Sequence, residues 1–202
     1  MGNLYNKLHI TPPKTIIFQE VIVSVIDKIQ SFSWKIQPFF DQFGAHKVHI
    51  SPEVLGCLKN NGESIGNQLI LRSLSFSDGK PRRDFVYTDP DGSFRFPEKT
   101  IRSDEPSITF KEIFTNQYIT TTINRKKFII WRATLIGKNP INEFNSKLSC
   151  LNADINNEAI LFSFSSNREE MSLEGTSICR WDKGFEVIDV DEHLNLNSDK
   201  VK

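Results

Sequence analysis

Between Gln68 and Val190, short runs rich in β-branched and aromatic residues are cut at close intervals by turn-forming residues. Gln68 to Phe76 ends in Asp78-Gly79. Asp84 to Thr88 ends in Asp89-Pro90-Asp91-Gly92, and Ser93 to Phe96 resumes the pattern. Glycine and asparagine tolerate the backbone angles of tight turns, so such punctuation points to antiparallel β-structure. Further along, Ile108 to Phe114 and Tyr118 to Ile123 read as strands. The polar turn Asn124-Arg125-Lys126-Lys127 then leads into Phe128 to Ile136. Ala159 to Phe164 is a short buried strand, and Thr176 to Trp181, Asp182-Lys183-Gly184 and Phe185 to Val190 form a closing hairpin. Pro97 to Pro106 reads as a loop and an internal boundary.

The first third is more mixed. Ile16 to Ile26 is dominated by β-branched residues, which fit a pleated surface; it reads as a central strand, with a helix as the alternative. Pro38 opens a short helix over Phe39–Phe43 that Gly44 closes. Ser51-Pro52-Glu53 carries helix-start chemistry, and Asn60-Asn61-Gly62 supplies the stop, so a second short helix is expected between them. The expected fold class is α+β: a mostly antiparallel sheet or sandwich with two short helices in the N-terminal third. Residues 1–14 read as an arm, 15–190 as one globular domain, and 191–202 as an acidic, frayed tail. Of the many phenylalanines, most belong in the core; for Phe39, Phe40 and Phe43, on a short helix between strands, the core is the preferred reading and exposure of some of them to a partner the alternative.

At 202 residues, with 38% apolar and 25% charged residues, the chain can bury a core without staples. Its three cysteines, Cys57, Cys150 and Cys179, are too scattered for a disulfide framework. No signal peptide or spanning segment is evident, and no asparagine sits in an Asn-x-Ser/Thr sequon, so a cytoplasmic protein is expected. The formal charge is zero but unevenly placed. Residues 1–150 hold 20 Lys/Arg against 14 Asp/Glu, a net of +6, and residues 151–202 hold 5 against 11, a net of −6. Such bipolarity can steer head-to-tail association or bring the basic part onto an anionic surface.

Several constellations offer chemistry and fall short of it. Asp189, Asp191, Glu192 and His193 are potential hard-metal ligands, but one strand end and a tail supply them all. His46-x-x-His49 lacks a third zinc ligand nearby. Asp91, Glu98 and Lys99 are the residue types of a metal-dependent nuclease, yet turn chemistry accounts for them. No phosphate loop, Gly-x-Ser-x-Gly or cysteine-protease signature is present, so a non-enzymatic protein without a cofactor is expected. Gly2 invites acylation, but Asn6 stands where Ser or Thr is usual. What remains are two basic clusters at hairpin tips: Lys80, Arg82 and Arg83, and Arg125, Lys126 and Lys127. Long cations there can reach phosphates of lipid or nucleic acid.

The order of elements around Val21–Ile26, Ser31–Ser33, Trp34–Gly44 and Tyr118–Trp131 resembles that of rhabdovirus matrix proteins. Such a resemblance implies a self-associating structural protein, a homo-oligomer at a membrane or in a virion, contacting an anionic membrane surface or nucleocapsid. The chain departs from that family in lacking a strongly basic N-terminal segment and a Pro-Pro-x-Tyr motif. A β-barrel or sandwich that binds a small ligand or peptide is the alternative, and a metal-dependent hydrolase or nuclease the second.

Overall fold

Turn chemistry sets the strand boundaries, and long-range pairing arranges the strands. The computed structural model describes residues 37–108, 112–164 and 173–189. The expected strand at Ile16–Ile26, the arm at 1–14 and the tail at 191–202 lie outside the described residues, as does most of the segment 21–44. The chain divides into two units, Met1–Pro38 and Phe39–Lys202, and the elements below belong to the second.

The fold is β-rich and mostly antiparallel. Its strands are β1 (His46–Ser51), β2 (Val54–Asn60), β3 (Glu63–Ser64), β4 (Leu69–Phe76), β5 (Pro81–Tyr87), β6 (Ser93–Phe96) and β7 (Lys99–Ser103). The chain continues with β8 (Phe114–Ile123), β9 (Lys126–Ile136), helix α1 (Asn142–Leu148), β10 (Leu151–Asp154), β11 (Ile160–Phe164), β12 (Leu173–Ser177) and β13 (Glu186–Val187). Seven strands form the main sheet in the order β13-β11-β12-β9-β8-β4-β5. A four-stranded sheet joins β10, β2, β3 and β6, and β1 pairs with β7. The β10–β2 pairing is parallel, which the long intervening chain, residues 61–150, makes possible.

One face of the main sheet is the core. Ile70, Ile119, Phe128, Ile130, Trp131 and Phe162 pack with Val54, Leu58, Phe94 and Phe96 of the four-stranded sheet and with Phe144 and Leu148 of α1. Leu74 and Phe76, at the other end of β4, pack with Val48, Ile50 and Ile101 of the β1–β7 pair. The β8–β9 register slips between Ile119 and Thr120, where β9 carries an extra residue, and Ile130 and Trp131 are consequently both buried.

Arg72 ties these layers together. It projects from β4 into the core, fully buried. Its guanidinium grips Asp84 of β5 through Nε (2.9 Å) and Nη2 (2.7 Å). Nη1 donates to Ser51 Oγ (3.2 Å) and to the Pro97 carbonyl (2.9 Å), and the group lies 4.8 Å above the Phe96 ring. Gln117 adds a second tie: its amide donates to the Ile50 carbonyl and accepts from Trp131 Nε1.

Four expectations are corrected. Ser51 to Asn61 is not a helix: Ser51 ends β1 and residues 54–60 form β2. Residues four apart share a face in a strand as in a helix, so Val54 and Leu58 fit either pattern. Long-range pairing with β6 and β10 decides, and a Cβ on Gly56 would overlap the Phe94 ring and the Leu151 carbonyl. Within 97–106, residues Lys99–Ser103 are a strand whose partner β1 lies some fifty residues upstream. The closing hairpin does not exist either, because β12 and β13 flank β11 on opposite sides. The turn at Phe39–Phe43 is present, with Gln42 and Phe43 N–H groups bonded to the Phe39 and Phe40 carbonyls. Phe39, Phe40 and Phe43, however, are all at least half exposed.

The buried clamp and the Asp154 turn can each be tested. Arg72→Met should lower the urea midpoint by the equivalent of about 3–5 kcal/mol, since Asp84, Ser51 and the Pro97 carbonyl lose a buried partner. A shift within error would mean that the sheets do not depend on this clamp. For Asp154, partial burial pushes the carboxyl up, but hydrogen bonds from Asn156 and from the Gly62 and Asn61 backbone outweigh this and hold it down at about 2, against the usual 3.8. A depressed folded-state pKa stabilises above the unfolded value and loses that stabilisation as pH falls. Asp154→Asn should therefore be less stable at neutral pH and lose less stability between about pH 4 and pH 2. Urea midpoints across that range check it.

Candidate functional site

Side chains alternate across a strand, so the cross-strand register assigns each residue of the main sheet to one face. Opposite the core, one row runs Arg83, Ser73, Tyr118, Arg132, Thr176, Leu161 from β5 to β11. The neighbouring row is Phe85, Leu71, Thr120, Ile129, and beyond the last β4–β8 pair, Ile70–Thr121, follow the pairs Tyr87–Leu69 and Thr122–Lys127. This outer face therefore interleaves three cations with aromatic rings. The next row along carries carboxylates: Glu174 and Glu186 flank Ser163 of β11 on either side, at the β12–β11–β13 end of the sheet.

The rings are accessible. Phe85 is 54% and Tyr87 57% exposed, and they meet edge to face at 6.1 Å. Tyr118 is 37% exposed and carries the Arg132 guanidinium 5.4 Å above its ring. A groove of about 540 Å³ opens beside this stack, lined by Asn116, Tyr118, Arg132, Thr134, Glu174 and Thr176 among others. It forms because β12 and β9 share only two registered pairs before they part.

The six basic residues expected at the hairpin tips have separate fates. Arg82 is 4% exposed and faces inward. It bonds to Asp41 (2.9 and 3.0 Å), to Asp78 (3.0 and 2.7 Å) and to the Lys80 carbonyl, so it fastens a turn and reaches no external anion. Burial pushes the Asp78 carboxyl up, yet the hydrogen bonds from Arg82 and the Lys80 N–H, together with the charges of both residues, outweigh it and leave Asp78 below the usual range. Lys80 is exposed in the turn, and Arg83 points to the outer face. Arg125, Lys126 and Lys127 are all exposed at the β8–β9 tip, with Lys126 over the Phe128 ring. Antiparallel pairing of β4 with β8 puts the two tips at opposite ends of the sheet, about 24 Å apart for seven residues at ~3.4 Å each. They do not form one patch. Tyr118 and Arg132, which carry no local mark in the sequence, supply the middle of the face.

The other constellations stay apart. His46 bonds to Ser107 Oγ and His49 to Glu98, as expected for strand neighbours of opposite parity. Asp91 caps the turn at Ser93, and Lys99 lies 3.6 Å from Asp84. Among the described residues no three His, Cys, Asp or Glu side chains converge on a metal position. Asp191, Glu192 and His193 lie outside them. Burial pushes the Cys179 thiol up to about 12, which removes its nucleophilicity. A second groove of about 600 Å³ holds Lys147, Cys150 and Trp181. Its ammonium is already bonded to the Lys183 carbonyl, and Arg180 to the Cys179 and Glu158 carbonyls. Among the described residues no helix is long and apolar enough to cross a membrane.

A family model described as a domain of unknown function, DUF6795, matches residues 54–158, just over half of the chain. The chain belongs to the DUF6795 family. Its DUF6795 domain contains β4, β5, β8 and β9, so Arg83, Phe85, Tyr87, Tyr118, Lys127 and Arg132 all fall inside it, while Glu174 does not. No curated protein and no solved structure matches the chain.

Asn124 and Arg125, at φ of 50° and 66°, form a two-residue turn of the mirror-image type that favours Asn-Gly. Arginine in that left-handed region is strained. Arg125→Gly should raise stability by about 0.5–1 kcal/mol, read as an increased urea midpoint, while removing one exposed cation from the tip.

Proposed function

We propose that the protein is a non-enzymatic interaction module that binds single-stranded nucleic acid across the outer face of its main sheet. The observation that carries this reading is the row Arg83–Ser73–Tyr118–Arg132, flanked by Phe85, Tyr87 and Lys127. Cations on such a face attract phosphates, and the counterions of the nucleic acid are released as they bind. Exposed rings and the Arg132 plane offer surfaces on which unpaired bases stack, each worth about 1–3 kcal/mol. A lipid surface uses the same charges and can seat tyrosine rings at its interface, so vesicle binding is the rival that the test below measures beside oligonucleotide binding. The exposed tip at Arg125–Lys127 extends the positive field beyond the face. The matrix-like reading drawn from element order is compatible with a nucleocapsid as the partner. The hydrolase reading is not favoured by the scattered positions of Asp91, Glu98 and Lys99.

The test is fluorescence anisotropy of a labelled single-stranded oligonucleotide over a salt series, beside co-sedimentation with phosphatidylserine vesicles. Wild type should bind the oligonucleotide. Arg83→Gln with Arg132→Gln should flatten the log–log salt slope by about 1.4, at ~0.7 for each phosphate no longer neutralised. Tyr118→Ala should weaken binding by roughly tenfold and leave the slope alone. Vesicle binding without oligonucleotide binding would replace this reading with a peripheral-membrane one. Failure to bind either at the lowest salt would remove the anionic-partner reading altogether.

A further inference from the structure

The main sheet ends at β5, and the register shows what that edge presents. The Thr88 N–H donates to the Gln68 carbonyl (3.0 Å), so the Gln68–Thr88 pair is a hydrogen-bonded one. Bonded and non-bonded pairs alternate along an antiparallel ladder. Ile70–Val86, Arg72–Asp84 and Leu74–Arg82 are then the bonded pairs, and Arg83, Phe85 and Tyr87 turn their N–H and C=O groups away from β4. Among the described residues no strand pairs with them. The same alternation followed across β8 sends the Ile129 carbonyl toward β12, where it accepts the Ile178 N–H at 3.0 Å. Edge strands are ordinarily blunted by lysine, proline or a bulge. Here Pro81 guards only the start of β5, and the edge bears two half-exposed aromatic side chains.

We propose that β5 is a homodimerisation edge, pairing antiparallel with β5 of a second copy about a two-fold axis at Phe85. In that register Phe85 faces Phe85 of the second copy and Arg83 faces its Tyr87, with all six open groups on each strand satisfied. The geometry is self-complementary: cation meets ring on each side of the axis, ring meets ring at its centre, and like charges do not oppose. Asp84, on the other face, stays bound to Arg72 and sits opposite Val86 of the second copy. Leu69 and Leu71, exposed behind the aromatic pair, continue the apolar band across the axis. The side-chain area is modest. Two half-exposed rings at about 100 Å² each and two leucines give roughly 350 Å² per copy, well below the ~800 Å² of a standard interface. The dimer is accordingly weak and reversible, with Kd on the order of micromolar. The inference is independent of what the outer face binds. It joins two such faces into one continuous sheet surface.

Sedimentation velocity of the full chain from about 1 to about 200 μM reads the association directly by mass action. The expected result is a monomer–dimer equilibrium that Phe85→Lys shifts at least tenfold toward monomer, with thermal unfolding unchanged because Phe85 faces solvent. A bonded antiparallel pair brings its Cα atoms to about 5.5 Å, within disulfide reach. In a Cys150→Ser background, Phe85→Cys should therefore crosslink to a dimer under oxidised glutathione, and Arg83→Cys, far from its own copy, should not. A wild type that stays monomeric throughout overturns the proposal. So does a dimer that Phe85→Lys leaves intact, or equal crosslinking at positions 83 and 85.

Discussion

A guanidinium taken wholly out of water is costly unless nearly every donor is met, and Arg72 meets four of its five. Its partners come from β5, from the end of β1 and from the chain leaving β6, so three sheets have to stand in one relative position for the group to be tolerated. Hydrophobic burial drives the layers together, but it is indifferent to small slides of one sheet over another. The directional bonds of Arg72, with those of Gln117 to Ile50 and Trp131, are not. They hold the four-stranded sheet and the β1–β7 pair over the inner face of the main sheet.

That arrangement leaves the opposite face of the main sheet to present its own residues. Because strands alternate strictly, each inward Leu or Ile in β4 commits its neighbours to the outside, and the same holds in β5, β8 and β9. Arg83, Tyr118, Arg132 and Lys127 stand together as a consequence of a register set largely by the core. The two fully buried neighbours at the β9 bulge matter here: were the ladder to continue from Thr120–Ile129 without the bulge, Trp131 would stand opposite Tyr118 and Arg132 opposite Gln117, and the stack could not form. The two arginines of β5 that are adjacent in sequence illustrate the rule. Arg82 is locked between Asp41 and Asp78, and Arg83 is free to meet a partner.

Much of the strand content was legible from the residues. Asp78-Gly79, Asp89-Pro-Asp-Gly92 and Asn124-Arg125 are local signals whose backbone requirements do not depend on distant contacts, and the structure places turns at each. That Arg83, Phe85 and Tyr87 share one side of β5 was also open to reading by parity alone. The site as a whole was not, because its rows join strand residues as much as 49 positions apart, such as Leu71 and Thr120.

The sequence by itself determined where the tight turns after β4, β5 and β8 fall, that the strands around them are mostly antiparallel, and which residues along each strand share a side. Those follow from local dihedral preference and a period of two. Only the tertiary structure decided that 54–60 is a strand, since helix and strand periods both bring Val54 and Leu58 to one face and the tie is broken by β6 and β10. It alone decided that β12 and β13 flank β11, that Arg82 turns inward while Arg83 turns outward, and that the two basic tips lie at opposite ends of the sheet. The physical reason is common to all four. Each depends on which distant strand is the neighbour, and pairing energy between strands resides in packing and register that no short stretch of chain contains.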